Sequence, residues 1–432
     1  MKRYSEYKDS GVKWIGEIPG HWKMPKLNRV VSKVGSGSTP RGGSEVYIDE
    51  GIKFLRSQNI HFEGLNLDSV VYIPDSINEQ MKNTQVQPFD VLLNITGGSI
   101  GRCFYVDDTL GKANVNQHVC IIRPLSVNYR FLKYFLQSNS GQSQVWFYQK
   151  GDREGLSAES IKTFRLPLPP LPEQEAIVTH LDSKVAKIDE YISIAEKKIA
   201  ALEELKQTII AEAVTRGIHK DVPMKDSGVK WIGMIPEHWK VMRLSQIAYE
   251  HFISNKKIHH QNLLSLSYGQ IIRKDINGTN GLLPASFDTY QVVEEGNIIL
   301  RLTDLQNDHK SLRVGLVKET GIITSAYLCL APKNMVYSKF LYFQLHACDI
   351  KKVFYSMGDG LRQSLNYDGM RKLASVIPPL PEQQEIVTYI EAKVANINQL
   401  CQAERSKIEK LKEYKQRLIS DVVTGKVKVT ND

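Results

Sequence analysis

Residues 169–216 read PPLPEQEAIVTHLDSKVAKIDEYISIAEKKIAALEELKQTIIAEAVTR, and residues 378–425 write the same kind of stretch again. Both copies open on an identical PPLPEQ. In the first, Leu181, Val185, Ile188, Ile192, Ala195, Ile199 and Leu202 alternate steps of four and three, an a/d heptad seam whose beat fades near Leu205 and Ile209. In the second, Ile390, Val394, Ile397, Cys401, Ile408 and Leu411 keep the beat, and Glu404 interrupts it at the place equivalent to Ala195. Pro172 or Pro381 suits a first helical position, and the following Glu-Gln puts negative charge in a first turn that favours it. Each stretch predicts a helix of about 44 residues, roughly 65 Å at 1.5 Å per residue. A helix with one apolar seam needs a partner, and the other copy is the obvious one.

The repeat extends beyond the helices. KDSGVKWIG stands unchanged at residues 8–16 and 225–233, and both copies run on into Ile-Pro, one variable residue, then His-Trp-Lys. The expected layout has residues 1–168 as leader and first globular domain and 169–217 as first long helix. Residues 218–377 form linker, leader and second globular domain, 378–425 the second helix and 426–432 a tail. This is a pseudo-two-fold dimer within one chain, not a solenoid. Gly217 is placed to cap the first helix. A two-fold arrangement would bring the C-terminal end back to the N-terminal leader, giving a nearly circular organisation.

Residues 23–168 predict a strand-rich α+β domain. Strand-like runs occupy 52–55, 70–73, 91–95, 103–106 and 119–122, with short helices at 129–137 and 157–164. Residues 35–44, GSGSTPRGGS, form a turn-rich loop. Residues 240–377 follow the same plan. NIILRLT (297–303) answers VLLNIT (91–96), 325–332 answers 117–124, and 339–345 answers 130–136. The frames match while the intervening segments diverge, as in two related domains that recognise different things.

Five cysteines without a CxxC pair imply reduced, buried thiols in a cytoplasmic protein, and no run of about 18 apolar residues suits a membrane span. A formal net charge of +9 is compatible with a polyanionic partner. Catalytic constellations are not legible. There is no HExxH, His259-His260 is an isolated pair, and Gly35-x-Gly37 leads to Pro40 where a dinucleotide fingerprint needs its third glycine. Gly97, Gly98 and Gly101 lack the Lys-Ser/Thr of a phosphate loop. No metal ligand set and no catalytic residue is assigned.

What remains is a set of polar and basic side chains on Gly-rich loops, the types that contact bases and phosphates. In the first domain they are Ser38, Thr39, Arg41, Arg56, Gln58, Asn59, Ser99, Arg102, Lys112, Asn114, Asn116, Gln117 and Arg153. In the second they are Lys256, Lys257, Gln270, Arg273, Arg301, Thr303, Gln306, Asn307, Lys310, Arg313 and Arg362.

Two strand-rich domains each followed by PPLPEQ and a long helix, the leader GVKWIGEIPxHW and the GSTP loop (37–40) resemble the specificity subunits of type I restriction–modification systems over essentially the whole chain. The resemblance implies two target-recognition domains, each reading one half of a split double-stranded DNA site, held apart by an antiparallel coiled coil. It implies an adaptor without catalysis or cofactor of its own. Two methyltransferase subunits using S-adenosylmethionine and two ATP- and Mg-dependent motor and nuclease subunits would be its partners. The second domain departs from the pattern: FISNKKIHHQNLLSLSYGQIIRK (252–274) stands where a GSTP-like loop belongs. The rival reading is a two-headed coiled-coil scaffold that binds proteins, and steeply salt-dependent DNA binding would separate the two.

Overall fold

The structure, a computed structural model, describes residues 2–149, 155–276, 284, 286–305, 312–357 and 364–429. The chain divides into two packing units, Met1–Ala195 with Ser406–Asp432, and Glu196–Arg405. Both boundaries fall within the long helices, Leu171–Arg216 and Leu380–Val423, so each unit holds one half of each.

In each unit the helix halves pair antiparallel. In the second, Lys198 Nζ meets Glu404 at 2.6 Å and Lys206 Nζ meets Asn398 at 3.3 Å, so one number rises as the other falls. In the first, Lys415 Nζ bridges both carboxylate oxygens of Asp189 at 2.7 and 3.0 Å. The seam is as its period predicts. Leu181, Ile188, Ala195, Ile390, Ile397, Cys401 and Ile408 are buried, and Val185, Ile192, Ile199, Leu202, Val394 and Leu411 are half-buried. Past the lost beat Leu205 is exposed, and the buried stripe moves to Ile210 and Val214. Glu404 is tolerated at a seam position because Lys198 neutralises it, a contact that favours one register over its slips.

The repeated leader folds identically twice. Tyr7–Asp9 pairs with Glu17–Pro19, and Met224–Asp226 with Met234–Pro236. The shared PEQ then clamps three elements together. Glu173 takes His21 Nε2 at 2.9 Å, as Glu382 takes His238 Nε2 at 2.7 Å. The buried Gln174 accepts from the backbone of Asn128, where helix Tyr129–Gln137 begins, and donates to Pro169 O. Gln383 accepts likewise from Tyr337, ahead of helix Ser338–Ile350, and donates to Met335 O and Pro378 O. Buried amides stay only where both ends are bonded, and here each carboxamide is.

The first helix ends at Arg216 and Gly217 takes φ +76°, the expected C-terminal glycine, against Trp239. Gly425, at φ +74°, repeats this against Pro19 and Trp22 in the first unit. A Cβ there would lie 2.3 Å from Pro19 Cδ, so only glycine fits. Beyond it Lys428 N donates to Lys2 O at 2.9 Å, so the tail returns to the N-terminal leader.

Both units build the same four-stranded antiparallel sheet. In the first the order is Val31–Ser36, Val119–Pro124, Val91–Asn94, Cys103–Tyr105; in the second, Ala248–Glu250, Leu328–Pro332, Ile298–Leu300, Val314–Leu316. A smaller layer covers each. Ile52–Leu55 runs parallel to Ala113–Val115 and antiparallel to Val71–Ile73. In the second unit the hairpin Leu264–Ser267/Gln270–Arg273 takes that place, with Leu263 bridging in parallel to Ile322. Helix Asn139–Tyr148 was not foreseen from the sequence. All five cysteines are buried thiols, and burial pushes Cys103, Cys120 and Cys329 up to about 12. Among the described residues no helix is long and apolar enough to cross a membrane.

Candidate nucleic-acid interface

Strand pairing brings four loops of the first unit to one end of its sheet. Ser36 lies opposite Cys120, Asn94 opposite Val119, and Leu93 opposite Cys103. The exits of two strands and the entrances of two others therefore coincide. Asn116 N donates to Leu55 O at 3.0 Å, which adds the turn Ser57–Asn59. At the centre is Gly37, where a Cβ would come within 2.2 Å of Val115 O and 2.3 Å of Asn116 O. The GSTP loop thus needs its glycine for close backbone approach, not for a phosphate.

The side chains of this edge form a polar chain. Thr39 Oγ1 donates to Gln117 Oε1, Gln117 Nε2 meets His118 Nε2 at 3.0 Å, and His118 Nδ1 meets Thr96 Oγ1 at 2.6 Å. Thr39, Arg41, Gln58 and Gln117 are exposed, and Ser38, Ser99, Arg102 and Asn116 are half-exposed. These residues share one surface. His118 belongs to it and was missed, since a lone histidine carries no spacing signal.

Other candidates lie elsewhere. Asn59 is fully buried, accepting from Arg56 N and donating to Asn66 O. Asn114 is also fully buried, accepting from Thr84 Oγ1 at 2.6 Å and donating to Asn78 Oδ1 at 3.0 Å. Both hold loops together from inside and present nothing to a ligand. Arg56 is half-buried with its guanidinium on Ser69 O. Lys112 precedes strand Ala113–Val115, at the end opposite Asn116, and lies 3.9 Å from Asp75. Arg153 lies outside the described residues.

In the second unit the corresponding sheet end carries Arg301–Leu305 and the turn Thr324–Tyr327, the latter shaped by buried Gln291, which donates to Thr324 O and Tyr327 O. Lys256 and Lys257 are exposed near Asp288, at the same end. Arg301 is half-exposed, and Thr303 and Gln270 are exposed. Arg313 is the clearest correction, being fully buried. Its guanidinium donates to Arg301 O (3.1 Å), Thr303 O (2.8 Å) and Asp304 O (3.2 Å), and its Nε donates to Tyr355 Oη (3.2 Å). It organises the loop from beneath and leaves no donor for a base. Arg273 forms a bidentate pair with Glu319 at the far end of its hairpin, away from the Tyr268–Gly269 turn, and the pairing raises its pKa. Gln306, Asn307, Lys310 and Arg362 lie outside the described residues.

Exposed aromatic side chains, which can stack on bases, lie outside that polar set. Trp146 is 66% exposed, one helical turn beyond Gln142, whose Nε2 donates to Gly101 O at 2.9 Å. Tyr268 is 85% exposed. Among the described residues no group of three or more His, Cys, Asp or Glu side chains is placed to hold a metal.

A match to the family model described as the type I restriction modification DNA specificity domain spans residues 19–204. Those residues are similar to a type I specificity domain. The likeness also runs beyond them. A putative type I restriction enzyme specificity subunit of Methanocaldococcus jannaschii is 22% identical, covering 96% of each chain. The Escherichia coli EcoBI specificity subunit is 28% identical over 45% of this chain and 42% of its own. A chain from a structure addressing complex assembly and conformational transition of the type I system superposes with a TM-score of 0.68 at 15% identity, covering 94% of this chain and 98% of its own. The specificity domain is thus matched once directly, and the second unit repeats its sheet order and its PEQ clamp.

Proposed function

We propose that the chain is the DNA-reading specificity subunit of a type I restriction–modification complex, each unit reading one half of a bipartite, non-palindromic site. The observation that carries this is one sheet frame used twice, with unlike loops at the same sheet end. Identical loops would call for a palindrome; unlike loops call for two different half-sites. Polar side chains such as Thr39, Gln117 and Thr303 would read base edges, while Arg41, Lys256 and Lys257 hold phosphates. The helix pair would set the unread gap and dock two methyltransferase subunits, with two motor and nuclease subunits joining them. S-adenosylmethionine, ATP and Mg belong to those partners, and this chain supplies recognition, not chemistry.

Co-expression with the methyltransferase subunit, followed by sequencing of methylated adenines in host DNA, gives the site. Exchange of residues 23–168 for the equivalent segment of another specificity subunit is expected to change one half-site and leave the other. Insertion of four residues into each long helix is expected to change the gap and neither half-site; altered half-sites would refute the spacer role. Binding that does not weaken with added salt would favour a protein-binding scaffold over a DNA reader.

A further inference from the structure

The turn that closes hairpin Leu264–Ser267/Gln270–Arg273 is Tyr268-Gly269, with Ser267 paired to Gln270 across it. Both turn residues have positive φ, +46° and +76°. A two-residue turn of this type takes Asn, Asp or Gly at its first position, because a bulky L-residue is strained there. A tyrosine in that slot opposes the local preference of the chain. Its side chain is 85% exposed, and among the described residues it makes no ring or cation contact that would offset the strain. Backbone strain of this kind concentrates where a side chain must be presented.

The presentation is rigid. Leu266 and Ile271 press on Gly315, where a Cβ would meet them at 2.6 and 2.8 Å. Gly269 abuts Leu312, with its own would-be Cβ 3.0 Å from that side chain. Leu312 and Arg313 lead from the loop that follows Leu300 back into strand Val314–Leu316, and Arg313 braces that loop through its carbonyls. In the first unit the equivalent connection joins Ile52–Leu55 to Val71–Ile73 and begins with Ser57–Asn59 at the four-loop edge. The tight turn therefore replaces, in the second unit, a long polar segment, and it offers a ring where the other offers amides.

We infer that Tyr268 is a stacking side chain that the second unit places against the bases of its half-site, reading deformability of a base step instead of hydrogen-bonding edges. A ribbon tip carrying one exposed ring suits a groove, and an inserted ring partly unstacks the step it enters. The inference rests on the DNA-reading proposal above and adds to it a residue and a mode of readout.

The test uses the complex of the full chain with its methyltransferase subunits and duplexes carrying the mapped site, with 2-aminopurine at successive steps of the second half-site. The wild-type complex is expected to change the fluorescence at one step. Tyr268→Ala should abolish that change and weaken specific binding about 10- to 100-fold, in line with stacked bases elsewhere. Tyr268→Phe should keep both. Tyr268→Asn should lose binding as Ala does while raising the melting temperature, since it relieves the turn, which separates contact from folding. Tyr268→Ala binding within twofold of wild type would overturn the inference and leave the DNA-reading proposal standing. Loss of methyltransferase assembly with the 2-aminopurine signal unchanged would also overturn it, marking a protein contact. Failure of the wild-type complex to bind any duplex specifically would overturn the DNA-reading proposal and this inference with it.

Discussion

The two units share a frame and differ in how they hold their loops. In the first, the loop between the middle and edge strands returns through Arg102, half-exposed at the polar edge; in the second, the equivalent Arg313 is fully buried beneath its loop. One arginine stands one residue before the same strand in both, yet one faces outward and the other holds three carbonyls. Duplication conserved the position and let its task change. Residue type at a matched position is therefore a poor guide to a DNA contact.

The largest contrast expected follows from this pair. Arg313→Met leaves the carbonyls of Arg301, Thr303 and Asp304 without that donor and should cost at least ~3 kcal/mol of unfolding free energy. Arg102→Ala should lie within about 0.5 kcal/mol of wild type, since its side chain is partly solvated. Denaturant unfolding of the full chain measures both. Equal losses would mean the two arginines brace their loops alike, and the proposed division would fall.

A second contrast concerns how the long helices grip the domains. In the first unit Gln416 donates to the backbone of Gln137 at 2.8 Å; in the second the equivalent Gln207 meets the ring of His346 at 2.9 Å. Burial, with help from Lys206, lowers the His346 pKa from 6.5 to about 4, while Tyr342 stacks alongside. A histidine with a depressed folded pKa is held neutral, so its protonation favours the unfolded state. Its contribution is intact above pH 6.5, is lost as pH falls towards 4, and changes no further below, by roughly 3 kcal/mol in all. Acid should loosen the second unit before the first, visible as faster amide exchange in Ser338–Ile350 than in Tyr129–Gln137. His346→Gln, which copies the first unit, should remove that difference; an unchanged pH profile would show that the histidine is not its source.

What was legible in the chain was periodic or repeated. The heptad seam, the doubled leader and the runs of the four-stranded sheets each repeat a local rule, so the helix pair and part of each four-stranded sheet could be read. The roles of Glu173, Gln174 and their counterparts could not, because their partners are up to 169 residues away and set by packing. Strand Leu264–Ser267 alternates plainly as LSLS, but its partner reads QIIR without alternation, and Tyr268 concealed a turn that Asn or Gly would have announced. Helix Asn139–Tyr148 begins with the polar run NSGQSQ and owes its place to contacts such as Gln144 with Arg165. At the candidate interface, residue type selected several loops that strand pairing brings to one end of the sheet. It could not tell Gln117, which faces out, from Asn114, which faces in, since direction depends on which strand lies alongside.

The smallest contrast lies in the buried tryptophans of the two repeated leaders. Trp239 Nε1 donates to Glu382 Oε1 at 3.0 Å; Trp22 Nε1 is buried with no hydrogen-bond partner among the described residues. The difference arises outside the repeat. Tyr4 Oη takes the matching oxygen of Glu173 at 2.5 Å, and the second copy has Asp221 where Tyr4 would stand. Trp239→Phe gives up a bond to a charged acceptor and Trp22→Phe gives up none, so the first should cost about 1 kcal/mol more. Tyr4→Phe frees Glu173 Oε1 for Trp22 and should narrow the gap. If both tryptophan variants lose equal stability with Tyr4 intact, the hydrogen bond adds nothing net, and the leaders are held by ring burial alone.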